Sequence, residues 1–553
     1  MDKLAVRSVL EHIAAFLELR GDNAARVRLY QNAARAGVRG DAPAELRDVM
    51  RELAATGRSS TLDELREQIP PGLVEMLGIP GLGIAKVRQI HERLHIESLA
   101  ELEDAARDGR LAALPRFGRK TAENVRRGIA ALRQASAFRL LHHALDEAQG
   151  IARALGALEG VRRVEIAGSV RRRREIIRDL DFVVVHADGM REALVKRLDE
   201  APGVIELAGK EGAITLRFAS GAVVDVFLAT EAEAGLTLVR ATGSADHLAQ
   251  LEARLTEGGG GPWPDEASVY RAAGLPWIPP ELREGMGEIE AAAAGRLPRL
   301  LEQRDLKGFL HCHTNYSDGT TTVAEWADAV RAAGYEWMGI TDHSQSSAYA
   351  GGLRAEDVTR QHAEIDAANR RSGDFRVLKG VEADILADGA LDYGPAVLDR
   401  FDFVIASIHT RFGMTEAEMT ERVLRALDDR RTTILGHPTG RLLLSREPYA
   451  IDLERVLQRA ADRGVAVEVN ADPHRLDLDW RMVRRARELG VSMSLGADAH
   501  SVAGMTNVAL GVGIARKGWL AARDVLNTRD VEGFLAHAQR RPPRPPRPPP
   551  VYA

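Results

Sequence analysis

The stretch His311-Cys312-His313-Thr314-Asn315-Tyr316-Ser317-Asp318-Gly319 constrains this chain more than any other. It follows a short apolar run, Lys307 to Leu310, that reads as a buried strand entering a loop. Residues two apart on a strand project to one face, so His311 and His313 can hold one metal between them. Asp318, in the loop that follows, can reach a neighbouring ion. A lone His-x-His is a weak signal, because histidines more often pack or face solvent. Here the arrangement recurs. Trp337 to Thr341 runs into Asp342-His343, Arg376 to Val381 ends at Glu382, and Phe403 to Ile408 ends at His409. Thr433 to Gly436 ends at His437-Pro438, Val465 to Val469 at Asn470, and Val491 to Gly496 leads into Asp498-Ala499-His500. Helical patterns such as Thr322 to Ala333 and Glu416 to Leu427 separate these runs. Together they predict a parallel barrel whose strand ends gather at one mouth, where catalytic groups sit. Histidines scattered over loops and helix faces would not keep to strand ends.

Residues from about 305 to 540 resemble a PHP (polymerase and histidinol phosphatase) domain, a distorted seven-strand barrel that performs metal-dependent phosphoester hydrolysis. The resemblance implies up to three ions and nine ligands, and every ligand has a match. His311, His313, Glu382 and Asp498 would hold the first ion; Glu382, His409 and His437 the second; Asp318, His343 and His500 the third. Glu382 and His409 are the expected catalytic members. Imidazole and carboxylate donors suit two to three zinc, manganese or iron ions. Ions sharing Glu382 would activate water and stabilise both oxygens of an in-line phosphoryl displacement. Cys312, between two ligand histidines, should face the other way as a small buried hydrophobe.

The remaining sequence needs two or three further domains, since 553 residues exceed one ordinary core. One cysteine excludes an internal disulfide framework and fits a reducing cytoplasm. Met1-Asp2-Lys3 leads into an amphipathic helix rather than a signal peptide, and no apolar run reaches membrane-spanning length. A net charge of -5 does not favour nucleic acid by itself, so any such binding must come from local patches. Up to about residue 140 the pattern is helical, with Val9, Leu10, Ile13, Phe16 and Leu17 at helical spacing. Two stretches, Ile79 to Val87 and Leu114 to Ala122, each resemble a helix-hairpin-helix motif. In such a motif a Gly-rich turn (Gly81 and Gly83; Gly118) lets backbone N–H groups and Lys86 or Lys120 approach a DNA phosphate. Arg116 stands where glycine is usual, which either distorts that turn or adds a charge.

Between these regions lies Ile166-Ala167-Gly168-Ser169-Val170-Arg171-Arg172-Arg173-Arg174, followed by Asp179-Leu180-Asp181-Phe182-Val183-Val184-Val185. Asp179 and Asp181 alternate on an apolar strand. Asp225 lies in a second strand, Val223 to Leu228, that should pair with Thr215 to Phe218 across Ala219-Ser220-Gly221. Three converging carboxylates repel unless divalent cations neutralise them, and magnesium (or manganese) suits oxygen donors and phosphates. The bland reading makes these surface aspartates beside a solvated basic run. Joined to Gly-Ser-x-Arg, the pattern resembles the nucleotidyltransferase palm of family X DNA polymerases. The resemblance implies triphosphate contacts from Gly168, Ser169 and Arg172, and further nucleotide contacts from Gly243 and Ser244.

The order of parts is similar to bacterial members of that family, and it gives the expected fold: a multidomain chain with an all-α helix-hairpin-helix domain (1–140), an α+β palm with a short thumb (141–300), a distorted (β/α)7 PHP barrel (301–540) and a disordered Pro/Arg tail (541–553). The implied activities are template-directed gap filling and metal-dependent 3′–5′ exonucleolysis by a cytoplasmic, nucleoid-associated bacterial monomer. Its partners would be gapped or primer-template DNA, 3′ ends and dNTPs, with no membrane. A PHP nuclease with a weakened palm and a DNA-end scaffold are the alternatives. Several residues depart from the family. Thr61 occupies the place of a Schiff-base lysine, beyond Ala55-Thr56-Gly57-Arg58. Leu248 and Glu252 replace an asparagine and a basic residue expected near the nascent pair and template, and Phe227 replaces an arginine. The thumb shortens into Gly258-Gly259-Gly260-Gly261, and the usual aromatic pair before Thr242-Gly243-Ser244 is missing.

Overall fold

Helical periodicity governs the N-terminal part of the chain. A computed structural model describes residues 3–36, 42–56, 59–79, 81–136, 138–210, 212–218, 221–255 and 261–539. Two units result, 1–137 and 138–553. The first contains α1 (Lys3–Arg20), α2 (Ala24–Ala36), α3 (Ala44–Thr56), α4 (Ser60–Gln68), α5 (Pro71–Leu77), α6 (Ile84–Leu94), α7 (Leu99–Asp108) and α8 (Arg119–Ser136). Their apolar stripes meet in one core that includes Leu10, Ile13, Leu17, Tyr30, Ile90, Leu102 and Ile129. α7 starts in a capping box between Ser98 and Glu101.

In the second unit the chain runs β1 (Arg139–Leu140), α9 (Leu141–Gly156), β2 (Val161–Ile166), α10 (Gly168–Arg171), β3 (Ile176–Ile177), β4 (Leu180–His186), β5 (Val204–Lys210), β6 (Ala213–Phe218) and β7 (Val223–Ala229). β1 pairs with β3, and the others form a five-stranded sheet in the order β2-β4-β7-β6-β5. The expected pairing of the strand ending at Phe218 with that carrying Asp225 is present, antiparallel, with Thr215 opposite Asp225. Ala219 and Ser220 of the connecting turn lie outside the described residues, as do Gly258 to Gly260 of the shortened thumb and the tail from residue 540.

Seven parallel strands then close a barrel: β8 (Gly308–Cys312), β9 (Trp337–Ile340), β10 (Arg376–Asp384), β11 (Phe403–Ser407), β12 (Thr432–Leu435), β13 (Ala466–Asn470) and β14 (Met493–Ala499), with β14 returning to β8. Most of their residues are buried, which is why the strands read as continuous apolar runs rather than alternating ones. Leu310, Leu378, Phe403, Ile405 and Ile434 pack together, and Phe534 from the helix Val531–Ala538 joins the same cluster. The Trp337 ring lies 4.6 Å from that of Phe534, and its Nε1 donates to the carbonyl of Arg529 at 2.9 Å. Among the described residues no helix is long and apolar enough to cross a membrane.

Candidate functional sites

Glu382, near the end of β10, stands at the centre of the barrel mouth. Five imidazoles surround its fully buried carboxylate. His437 Nε2 lies 2.9 Å from Oε1, His409 Nε2 3.2 Å and His311 Nε2 3.4 Å; His343 Nδ1 lies 2.9 Å from Oε2 and His313 Nε2 3.8 Å. Asp498 Oδ1 is 3.3 Å from His313 Nε2, which brings the four residues expected at the first ion together. Asp318 is 3.6 Å from His343 and 3.4 Å from His500. The geometry groups them slightly differently from the expected sets. His313 joins Asp318, His343 and His500, and His343 joins Glu382 and His409, all with ligand atoms within 4.8 Å of one another.

Three of these residues sit in left-handed backbone: His311 (φ 60), His437 (φ 24) and Asp498 (φ 48). The simple alternation of a strand therefore does not aim His311; a local turn of the backbone does. Asp498 lies where the register between β14 and β8 shifts, between Gly496 and Ala499. Such conformations cost about 1–3 kcal/mol each and persist where the surroundings hold them, typically at working sites. Cys312 is buried in the apolar core, as expected of a residue that does not ligate.

The electrostatics call for positive charge. Burial opposes ionisation of Glu382, yet His409, His343 and His311 hold its carboxyl well below the usual range. Burial likewise opposes charge on Asp498, and His311, His313 and Arg475 overcome it. His311 is pushed well above its ordinary value, against burial, by Glu468, Asp498 and Glu382. His500 is pushed up to about 9, against burial, by Asp318 and Asp498. His313 moves the other way, through burial and the neighbouring His500 and His343. Among the described residues, the buried His311 Nε2, both ring nitrogens of His313 and Glu382 Oε2 find no hydrogen-bond partner. Buried polar atoms without partners are costly. A nitrogen- and oxygen-lined pocket of this kind fits a cluster of divalent cations.

Two carboxylates that the sequence reading did not single out, Glu468 and Asp384, orient this cluster together with Asp342, which it named beside His343. Glu468 Oε1 accepts from His311 Nδ1 at 2.5 Å, and its Oε2 accepts from the His437 backbone N–H at 2.7 Å. Asp384 accepts from His409 Nδ1. The two Nδ1 contacts each occupy one ring nitrogen, of His311 and of His409, and leave the other directed at Glu382, the usual support for a metal-ligating imidazole. Asp342 accepts from Thr314 N at 2.7 Å and from the hydroxyls of Thr314 and Ser317 at 2.6 and 2.5 Å, which shapes the loop carrying Asp318. The available signal was charge inside otherwise apolar strands, at Asp384 and Glu468.

In the five-stranded sheet, Asp181 on β4 lies opposite Asp225 on β7, and Asp179 sits one residue before β4. Burial, then Asp179 and Asp225, push the Asp181 carboxyl up to about 7. Gly168 (φ 58) passes so close that a Cβ there would lie 1.7 Å from Asp181 Oδ2. Only glycine fits this approach. Among the described residues the tight ligand groups are those at the barrel mouth, so the three aspartates are less closely gathered. Ser169 Oγ is buried without a hydrogen-bond partner among the described residues. Arg172 Nε donates to Glu284 at 3.0 Å and its Nη1 to the carbonyl of Thr242 at 2.5 Å. Ser244 caps the helix Ala245–Glu252, accepting from His247 N, and its own N–H donates to the carbonyl of Arg283. Gly243 ends the preceding helix. Both groups are thus engaged in holding the segment's shape.

In the N-terminal unit, Gly81 (φ 86) and Arg116 (φ 68) occupy equivalent turn positions, followed by Gly83 before α6 and Gly118 before α8. Arg116 adopts the left-handed conformation that glycine adopts in the first copy, so the turn is kept and a charge is added. Lys86 Nζ donates to the carbonyl of Gly81 at 2.8 Å, and Lys120 is exposed. Gly57 and Arg58 lie outside the described residues; Thr61 is in α4.

Residues 310–472 match the PHP domain family, and residues 73–131 match the SAM-like helix-hairpin-helix tandem. The chain is 36% identical to a Bacillus subtilis strain 168 protein named DNA polymerase/3′–5′ exonuclease PolX, over 97% of this chain and 99% of that one. A probable phosphatase from Caldanaerobacter subterraneus subsp. tengcongensis is 29% identical over 29% of this chain and 60% of its own length. A probable phosphatase from Vibrio atlanticus is 32% identical over 30% and 64%.

Proposed function

The chain belongs to the bacterial family X DNA polymerases that carry a C-terminal PHP domain, and on that premise we propose that it couples template-directed gap filling in its palm to 3′–5′ exonucleolysis at its barrel mouth. The observation that carries the nuclease half is the ring of five imidazoles around the buried Glu382, with its orphaned nitrogens. His311, His313, Asp318, His343, Glu382, His409, His437, Asp498 and His500 would hold two to three zinc, manganese or iron ions. When bound, such ions activate water and stabilise charge on the oxygens of an in-line displacement. Glu382 serves as the shared central carboxylate, while Glu468 and Asp384 fix the orientation of His311 and His409.

In the palm, Asp179, Asp181 and Asp225 would hold magnesium or manganese, with Gly168, Ser169 and Arg172 receiving the triphosphate. The buried, unpartnered Ser169 Oγ and the close Gly168–Asp181 approach support that assignment. The two helix-hairpin-helix turns would grip DNA phosphates through Gly81, Gly83, Lys86, Gly118 and Lys120. We assign 1–140, 141–300 and 301–540 to the DNA-binding, palm and PHP parts. The substrates are gapped or primer-template DNA and dNTPs, handled by a monomer associated with the nucleoid. Metal content by mass spectrometry, followed by chelation and re-addition of manganese, tests the nuclease half. Two or three bound ions, loss of 3′ degradation on chelation and its return with manganese are expected. Undiminished degradation after the ions are removed would refute it.

A further inference from the structure

The basic run after Gly168-Ser169 is half-buried, held partly by Glu266 and Glu284 and partly by the barrel part of its own unit. Arg171 pairs with Glu266, Arg174 Nη1 lies 3.4 Å from Glu284 Oε2, and Glu175 faces Arg441 of the barrel at 3.5 Å. The stem of Arg173 covers Gly513, where a Cβ would meet it at 3.3 Å. Gly513 belongs to the helix Val508–Lys517, which follows β14. The last residue of that helix, Lys517, is completely buried, at 0% exposure. Its ammonium has three acceptors: the Glu284 carboxylate, the carbonyl of Arg172 at 3.0 Å and the carbonyl of Glu281 at 3.4 Å. It also lies 4.5 Å from the Trp480 ring centroid.

Glu284 therefore touches Lys517 with the same oxygen that accepts from Arg172 Nε. Arg172 Nη1 is tied to the carbonyl of Thr242, next to Gly243-Ser244, and no described residue takes its Nη2 donors. One carboxylate faced by Lys517, Arg172 and Arg174 leaves an excess of positive charge, and Arg172 acts on the nearby Asp181 carboxylate. Without the lysine, Glu284 would be balanced by the two arginines alone and would neutralise more of the charge that Arg172 can offer an anion. We propose that Lys517, a PHP-domain residue, is a positioning residue for nucleotide insertion: through Glu284 and the Arg172 carbonyl it holds the Arg172 guanidinium between the Gly168–Ser169 turn and the Gly243–Ser244 segment. The polymerase pocket is then completed by the nuclease domain, and the proposal rests on the reading of the palm as a polymerase.

Removing one partner of a buried carboxylate is normally costly, but Glu284 keeps two arginine partners in Lys517→Met, which limits that cost. Single-nucleotide insertion on gapped DNA should show KM for dNTP raised about tenfold with kcat within about twofold, since the lysine acts on binding and not on the reacting atoms. Exonuclease rate and melting temperature on the same preparation report folding, and both should stay near the parent's. Lys517→Arg, which keeps the charge, should recover most of the loss. Placed on an Arg172→Lys background, Lys517→Met should change KM little further, because both act through one guanidinium. An unchanged KM in Lys517→Met, or full additivity with Arg172→Lys, would overturn the positioning role while leaving the polymerase reading intact. Should Lys517→Met fail to fold, Lys517→Gln removes the same charge while keeping a hydrogen-bonding end, and an unchanged KM there overturns the proposal equally. No insertion by the parent protein would overturn both the polymerase reading and this role.

Discussion

At the scale of single residues, the barrel mouth depends on orientation as much as on ligands. Asp384 touches His409 Nδ1 and not Glu382. Asp384→Asn should therefore keep the fold and lower 3′ degradation about 10–100-fold, with a matching loss of metal affinity. Equal activity and equal metal retention would show that the contact does not matter. The nine expected ligands were legible because each closes or follows an apolar strand. Asp384 and Glu468 were not, because a charge within a strand names no partner until the strands are ordered. Asp181 gives a pH prediction. Its carboxyl is raised from 3.8 to about 7 by burial and by Asp179 and Asp225. The unfolded chain thus loses this proton first as pH rises. The metal-free protein carries no penalty from this group below about pH 4 and bears an increasing one up to about pH 7. A divalent cation competes with the same proton, so affinity at the palm should fall about fivefold between pH 7 and pH 6. Titrating manganese by electron paramagnetic resonance at several pH values checks this, and Asp181→Asn should abolish the dependence.

At the scale of elements, the barrel strands were readable as apolar runs of strand length, and their order around the barrel follows their order in sequence. What misled was ideal strand geometry. His311 is aimed by a left-handed residue, which no two-residue period encodes. The helix-hairpin-helix copies show the opposite case, a substitution whose outcome the sequence left open. Arg116 keeps the turn at a left-handed cost of about 1–2 kcal/mol. Arg116→Gly should raise the stability of the N-terminal part by up to about 1 kcal/mol. It should also reduce the salt dependence of DNA binding by about one phosphate contact. An unchanged salt slope would mean Arg116 does not touch DNA.

At the scale of the molecule, two chemistries share one compact unit, 138–553. That sharing left no sequence signal, since Arg171 to Arg174 read as a triphosphate site or a solvated run rather than as a seam against the helix Val508–Lys517. On the proposed polymerase reading, the residues expected beside the nascent pair differ from the family's: Leu248 offers no hydrogen bond, and Glu252 pairs with Arg240. Correct pairing should be read poorly there, because discrimination depends on polar groups that a wrong partner leaves unpaired. With Thr61 in place of a Schiff-base lysine, borohydride should trap no protein–DNA adduct on 5′-deoxyribose phosphate ends. An adduct above background would show that another amine serves. The central claim is that one chain holds two separable active sites, and it is tested most directly by following a 5′-labelled primer in gapped DNA with dNTPs and the His409→Ala variant. The account predicts slow, error-prone extension into the gap with no shortened products, and its disappearance when Asp181→Asn is added. Continued shortening of the primer, or extension that survives Asp181→Asn, would contradict it.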